Sequence, residues 1–229
     1  MRTAKVLENK MLTHDVFQLK LETEDLFEFQ SGQFITIKID DQVPPCFRAY
    51  SIASAPIANS KGCEVCIKVV EDGRGSNWLQ AMKEGSEFNF IGPTGKFLFL
   101  GEKEKVLFVA TGTGVAPFRS MIESLLSSGS EKEIELLFGV RHIKDLFYVD
   151  LFEKLVEEHP NFKVRFTLSR PEDESWEGLR GRVTEHLDDT DVQNTEVYIC
   201  GLKDMIEQVI DILEKAGMPR EQIHEEKYD

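Results

Sequence analysis

The chain has 229 residues, 27 of them basic and 41 acidic, which gives a net charge of −14. That length suits one large domain or two of about 100 residues each, and 41% apolar side chains separate it from compositionally disordered chains. The acidity argues against capture by nucleic acid or by an anionic membrane surface, both of which rely on clustered Lys and Arg.

The opening residues, MRTAKVLENKMLTHD, contain no apolar stretch of signal-peptide length, and no run approaches a membrane helix. A cytoplasmic protein is therefore expected. The first hundred residues read as β-structure. Phe17, Leu19 and Leu21 alternate with Gln18, Lys20 and Glu22, and Ile35, Ile37 and Ile39 alternate with Thr36, Lys38 and Asp40. Further short runs cover 64–70 and 87–91, with turn residues at Ser31-Gly32, Pro44-Pro45, Asp72-Gly73 and Gly92-Pro93. This punctuation predicts an antiparallel barrel or sandwich. One short helix is expected over 76–83, capped by Ser76 and ended by Gly85.

Four cysteines are too few for a disulfide scaffold. Cys63 and Cys66 form a C-x-x-C, but within CEVCIKVV, a segment that reads as a strand. Side chains three apart on a strand point to opposite faces, so a shared metal or a disulfide is not expected. The five histidines show no metal spacing either.

After Gly101 the pattern changes. Residues 106–110 form a continuous apolar run, as in a central parallel strand covered on both faces. A helix is expected around 117–127, a strand at 134–138, and a helix around 146–158 with Leu151, Phe152, Leu155 and Val156 on one side. Phe162, Val164, Phe166 and Leu168 alternate as a further strand, followed by one at 197–200. Met205, Ile206, Val209, Ile210 and Leu213 have helical spacing before Gly217 and Pro219, and 222–226 gives a last strand. Alternating strands and helices imply a doubly wound parallel sheet. The expected organisation is an N-terminal antiparallel β-barrel over 1–100 and a C-terminal α/β parallel-sheet domain over 101–229. The charge follows the same division, with 11 basic and 13 acidic side chains in the first part and 16 and 28 in the second.

The most informative motif is VLFVATGTGVAPF, residues 106–118. A buried strand ends at Ala110, Gly112 and Gly114 permit a tight turn and close approach to a ligand, and Pro117 falls in the first turn of a helix. Free amides and the positive end of the helix dipole favour a phosphate there. RAYSIAS (48–54) is a second informative segment. In an extended strand Arg48 and Tyr50 share one face and Ser51 takes the other. A guanidinium suits a diphosphate, and a tyrosine ring can stack on a flat heterocycle.

ATGTGVAPF and RAYSIAS resemble segments of the ferredoxin–NADP reductase family of FAD- and NAD(P)-binding flavoprotein oxidoreductases. The resemblance continues in order through VVEDGRGSNWL (69–79), GPTGKF (92–97), FGVRHIKDLFY (138–148) and YICGL (198–202). It implies that the barrel is a flavin domain and the α/β part a nucleotide-binding domain. FAD, rather than FMN, would be held by Arg48, Ala49, Tyr50, Ser51, Lys68, Val69, Gly75, Ser76 and Tyr228. NADP, or alternatively NAD, would be held by Thr111, Gly112, Thr113, Gly114, Pro117, Arg141, Ser169, Arg170, Arg182, Cys200, Gly201 and Met205. Ser51, Cys200 and Glu226 would stand beside the reacting atoms. Two departures from the family pattern are Leu202, where a proline is common, and Asp229, where bacterial relatives often end in Trp.

Ser169-Arg170 and Gly181-Arg182 resemble the residues that hold the 2′-phosphate in NADP-dependent relatives, and so favour NADP over NAD. Glu172, Asp173, Glu174 and Glu177 between them oppose a phosphate unless they face solvent. The chain has no C-x4-C-x2-C iron–sulfur spacing, so a separate electron carrier, a ferredoxin or flavodoxin, is the expected partner. Such carriers are usually acidic and would be repelled at long range by a −14 protein. Reduction of free flavin or another small acceptor is therefore the second reading. A non-catalytic redox-relay or sensing subunit of a larger complex is the third.

Overall fold

A computed structural model describes residues 1–40, 43–172 and 175–228. The chain divides into two compact units, one of residues 1–99 with 116–125, the other of residues 100–115 with 126–229.

The first unit contains β1 (Arg2–Met11), β2 (Val16–Thr23), β3 (Phe34–Ile39), β4 (Cys46–Ser51), β5 (Gly62–Lys68), the short helix α1 (Arg74–Gln80) and β6 (Glu87–Thr94). The strands form one antiparallel sheet in the order β4-β3-β6-β1-β2-β5. An isolated antiparallel bridge between Ile52 and Val65 joins the two edges, so the sheet curls into a barrel. Alternation decides what goes inside: Ile35, Ile37 and Ile39 are buried from β3, and Phe17, Leu19 and Leu21 from β2. The strand that alternation does not predict is β1. It buries only Ala4 and Val6, and a bulge between Val6 and Glu8 shifts its register. Cys63 and Cys66 lie buried on β5 and are not joined by a disulfide. Helix α1 begins two residues earlier than expected and ends three earlier. Gly73 is its N-cap, and the Ser76 hydroxyl instead accepts the Val70 N–H at 3.0 Å, tying the preceding loop to the helix.

The second unit is built on β7 (Lys105–Thr111), β8 (Glu133–Val140), β9 (Phe162–Leu168), the two-residue β10 (Leu179–Arg180), β11 (Thr195–Leu202) and β12 (Ile223–Tyr228). All are parallel, in the order β10-β9-β8-β7-β11-β12. Among the described residues there are three longer helices: α2 (Ala116–Ser127), α3 (Val149–Glu158) and α4 (Lys203–Lys215). The first ten residues of α2 group with the first unit. Helix α4 buries Ile206, Val209 and Leu213, the seam its spacing predicts, against β11. Each such aliphatic side chain is worth about 1.5–3 kcal/mol on burial. Val156 of α3, expected on an apolar side, is exposed. Among the described residues, no helix is long and apolar enough to cross a membrane.

The chain builds β8, β9 and β10 to one side of β7, then returns to build β11 and β12 on the other. Strand order therefore reverses between β7 and β11, and a crevice for ligands opens at the carboxyl ends of strands where this happens. A buried carboxylate anchors the opposite end of β11. Glu196 is 1% exposed. Its Oε1 accepts the Tyr198 hydroxyl at 2.8 Å and stands 2.9 Å from His224 Nε2, and its Oε2 accepts the Glu102 N–H at 3.0 Å. The Tyr198 hydroxyl in turn accepts the Leu100 N–H at 2.8 Å, and the Tyr198 ring stacks on His224.

Burial alone would raise the Glu196 pKa, but hydrogen bonds from His224, Tyr198 and Glu102 outweigh it and hold the carboxyl below its ordinary value of 4.5. A depressed folded pKa adds stability that is present above pH 4.5 and lost as pH falls through the folded value. In urea titrations, Glu196→Gln should therefore cost about 1–3 kcal/mol at pH 7, because an amide would face the Glu102 donor. Its stability should also fall less steeply than the wild type's as the pH drops below 4.5.

Candidate functional site

At the carboxyl end of β7 the chain makes a single 3-10 turn, Gly112–Val115, and enters α2 with Pro117 in the first turn. Gly112 has φ +54° and open space where a side chain would project. Gly114 is confined: a Cβ there would stand 2.4 Å from the Cys200 carbonyl oxygen. Gly201 mirrors it from β11, with φ +153° and a would-be Cβ 2.3 Å from Thr111 Oγ1 and 2.7 Å from Met205 Cε. The two glycines thus let the turn after β7 pack against the β11 backbone and let β11 pack against the Thr111 side chain. The Thr111 hydroxyl is buried beside them without a hydrogen-bond partner. A polar donor left open in a glycine-lined cradle fits a nucleotide with amide and phosphate groups.

Cys200 lies on β11 beside this turn, fully buried and paired in register with Ala110 of β7 and Glu226 of β12. Burial pushes its thiol well above the ordinary value and the Glu226 carboxylate adds to that, while a hydrogen bond from Tyr228 acts the other way. Cys200 is thus a neutral, polarisable contact and not a thiolate nucleophile. Tyr228, expected from resemblance to meet a flavin, pairs in register with Leu202 at the end of β12, and its hydroxyl is buried. Asp229 lies outside the described residues.

At the carboxyl ends of β8, β9 and β10 the structure gathers the cations expected to distinguish NADP from NAD. The Gly181 N–H donates to the Leu168 carbonyl at 2.9 Å, so Ser169-Arg170 and Gly181-Arg182 leave the sheet side by side. The Arg170 N–H donates to the Arg141 carbonyl at 2.8 Å, which brings a third cation alongside. All three arginines are exposed. The Ser169 hydroxyl donates to Val140 O at 3.4 Å. Of the acids between the two segments, Glu172 and Glu177 are exposed, Glu172 standing 3.3 Å from His142 Nδ1, whereas Asp173 and Glu174 lie outside the described residues. Sequence reading missed the device that holds this edge. Thr167 Oγ1 donates to Gly181 O at 2.8 Å, and His186 Nε2 lies 3.2 Å from that hydroxyl and 3.0 Å from Arg180 O. Residues 14 and 19 positions apart carry no local signal of this contact.

In the first unit, β4 runs Cys46–Ser51 along one edge of the sheet. Arg48 and Ala49 are exposed, Tyr50 is half-buried and Ser51 is buried. Gly75 lies in the first turn of α1 rather than before it, and a Cβ there would come 2.9 Å from Arg48 Cγ and 3.3 Å from the Tyr50 hydroxyl. The strand and the helix start expected to share a flavin diphosphate therefore adjoin, with a glycine where a side chain would block them. Burial pushes the Tyr50 phenol up to about 12, so the hydroxyl stays protonated as a hydrogen-bond donor. Ser76, expected to offer its hydroxyl to phosphate, spends it on Val70, leaving its backbone amide. Lys68, the last residue of β5, pairs with Asp15, just before β2, at 3.0 Å, and the Val69 N–H donates to Asp15 O, so this strand end is held by Asp15. Among the described residues, no cluster of side chains suits a metal ion.

Comparison with known proteins agrees with both halves. Residues 3–99 match the family described as oxidoreductase FAD-binding domain, and residues 108–211 match the oxidoreductase NAD-binding domain. The chain is 34% identical to "Ferredoxin--NADP reductase B" of Sorangium cellulosum, over 99% of this chain and 97% of that protein. It is 31% identical to the "Phenol hydroxylase P5 protein" of Acinetobacter pittii over 98% of its own length, but spans 65% of that relative. A crystal structure of a ferredoxin NADP+ reductase from Neisseria gonorrhoeae with bound FAD and NADP has the same fold, with a TM-score of 0.85 at 24% identity, covering 98% of this chain and 97% of that one. The chain belongs to the ferredoxin–NADP reductase family and is an oxidoreductase of that type, with an FAD-binding and an NAD(P)-binding domain.

The two turn glycines should differ in steady-state assays with NAD(P)H. Gly114→Ala must displace the turn from the Cys200 carbonyl, and a displacement near 1 Å should cost about 100-fold in kcat/KM while FAD is retained. Gly112→Ala meets no protein atom and carries left-handed backbone strain, about 1–2 kcal/mol in stability, so it should lower kcat/KM less than Gly114→Ala does.

Proposed function

We propose that this protein takes hydride from NADPH, in preference to NADH, onto FAD and passes the electrons to a separate carrier of the ferredoxin or flavodoxin type. The observation that carries the NADPH preference is the pairing of Ser169-Arg170 with Gly181-Arg182 through the Gly181-to-Leu168 hydrogen bond. Two exposed guanidiniums at a strand end suit a phosphomonoester, which they contact by charge-assisted hydrogen bonds. Among the described residues, neither guanidinium is tied up by a carboxylate.

In this reading the amides of Gly112, Thr113 and Gly114 and the start of α2 at Pro117 hold the nucleotide diphosphate. Thr111, Gly201 and Met205 border the nicotinamide, and Arg141 joins the 2′-phosphate group. Arg48 and the amides of Gly75 and Ser76 bind the flavin diphosphate. Tyr50 stacks on the ring system, with Ala49, Lys68, Val69 and Tyr228 also touching FAD. Ser51 hydrogen-bonds the reactive edge, Cys200 excludes water from the nicotinamide without competing as a nucleophile, and Glu226 stands beside the reacting atoms. FAD, when bound, accepts a hydride and can release electrons singly or in pairs. The protein's share is to place the reacting groups in contact.

Net charge supports a second reading, reduction of free flavin or another small acceptor, because a −14 protein repels acidic carriers at a distance. Reduced holoprotein offered oxidised ferredoxin, flavodoxin and free FMN separates the two. Transfer to a protein carrier supports the proposal, and transfer to FMN alone supports the alternative. For cofactor choice, Arg170→Ala should weaken apparent NADPH affinity about 10–100-fold, the loss of one charge-assisted contact of about 1.5–3 kcal/mol, and leave NADH unaffected. Equal losses for both cofactors would refute the assignment.

A further inference from the structure

Arg119 has no part in the roles assigned above, yet it is 9% exposed and gripped from three directions. It lies on α2, two residues after Pro117. One terminal nitrogen stands 2.8 Å from Glu64 Oε2 on β5 and donates to Gln18 Oε1 on β2 at 3.0 Å. Its Nε donates to Glu123 Oε1, one helical turn further along α2, at 3.1 Å. The second oxygen of Glu123 accepts the N–H of Ala55, directly after the RAYSIAS segment, at 3.3 Å. All of these residues belong to the first unit.

An exposed i,i+4 pair such as Lys215–Asp211 contributes little to stability. The Arg119 cluster differs because its charges are largely withdrawn from water. Removing one member strands the others, so the cluster tolerates few arrangements. The guanidinium is planar, with N–H directions fixed relative to one another, so several simultaneous partners set both the rotation and the height of the helix that carries it. That helix begins at Ala116, the residue after the glycine turn.

We propose that Arg119 is a positioning residue for hydride transfer. By fastening α2 to β2, β5 and the segment after β4, it fixes the start of the helix on which the nucleotide turn depends. It acts through the helix and touches neither cofactor. The proposal rests on reading Gly112–Pro117 as the nucleotide turn.

The test is anaerobic stopped-flow reduction of the FAD-loaded protein over a range of NADPH concentrations, with FAD content and melting temperature measured alongside. Wild-type protein that NADPH does not reduce would defeat the underlying reading. If the wild type is reduced, Arg119→Met should keep its FAD and lower the saturated reduction rate by about tenfold or more, with a smaller change in half-saturating NADPH, and Arg119→Lys should recover part of the rate. Should Arg119→Met fail to fold, Glu64→Gln, which leaves Arg119 paired to Glu123, should still slow saturated reduction several-fold. Folded variants that reduce at the wild-type rate at every NADPH concentration, whatever their melting temperature, would overturn the proposal, because Arg119 would then be a structural staple alone.

Discussion

The nucleotide half depends on how closely two strands approach where the sheet reverses. Gly114 packs against the Cys200 carbonyl, and Gly201 against the Thr111 hydroxyl, at distances no Cβ would tolerate. Such contact is possible only with glycine on both sides. It fixes the direction in which the chain leaves β7, and with it the start of α2. It also sets Cys200 beside the turn, where the pairing of β11 with β12 brings Glu226 and Tyr228. The turn amides, a buried thiol and a carboxylate are thereby collected by one backbone constraint.

Electrostatics pose a second requirement. Nearly all the excess acid lies after residue 100, in the part that must bind an anionic nucleotide. Much of it is on exposed helix faces, including Glu153, Glu157 and Glu158 of α3 and Glu207 and Glu214 of α4, where water and salt screen it. In the proposed reading the attractive groups are local: the helix start after Gly114 and the arginines at 141, 170 and 182. Short-range hydrogen bonding can prevail over a screened long-range field. The nearly neutral flavin half carries no comparable burden.

Much of this architecture is legible in the amino-acid sequence. Strictly alternating β2 and β3, the all-apolar β7 and the i, i+3, i+4 seam of α4 each bury one consistent face, and such faces write themselves into local spacing. The antiparallel and parallel sheets follow from that grammar, and the glycine turn from the residues a tight approach requires. What stays hidden depends on partners far along the chain. Strand β1 alternates weakly because of its bulge. Strand β10 has two residues and exists only through its pairing with β9. Ser76 reads as a helix cap, but its hydroxyl bonds Val70 and the helix starts at Arg74. Glu196, His224, His186 and Arg119 look like ordinary surface residues in the sequence. Apart from Tyr198, two residues from Glu196, and Glu123, one helical turn from Arg119, their partners lie 6 to 101 positions away, and no periodicity encodes them.

The central claim is that the glycine-lined reversal point delivers hydride from NADPH to bound FAD. The most direct measurement mixes FAD-loaded protein anaerobically with NADPH, and in parallel with NADPH deuterated at the transferring carbon of the nicotinamide, while following the visible flavin absorbance. The account predicts rapid bleaching that is slower with deuterium. A protein that holds FAD and is bleached by neither NADPH nor NADH would contradict it.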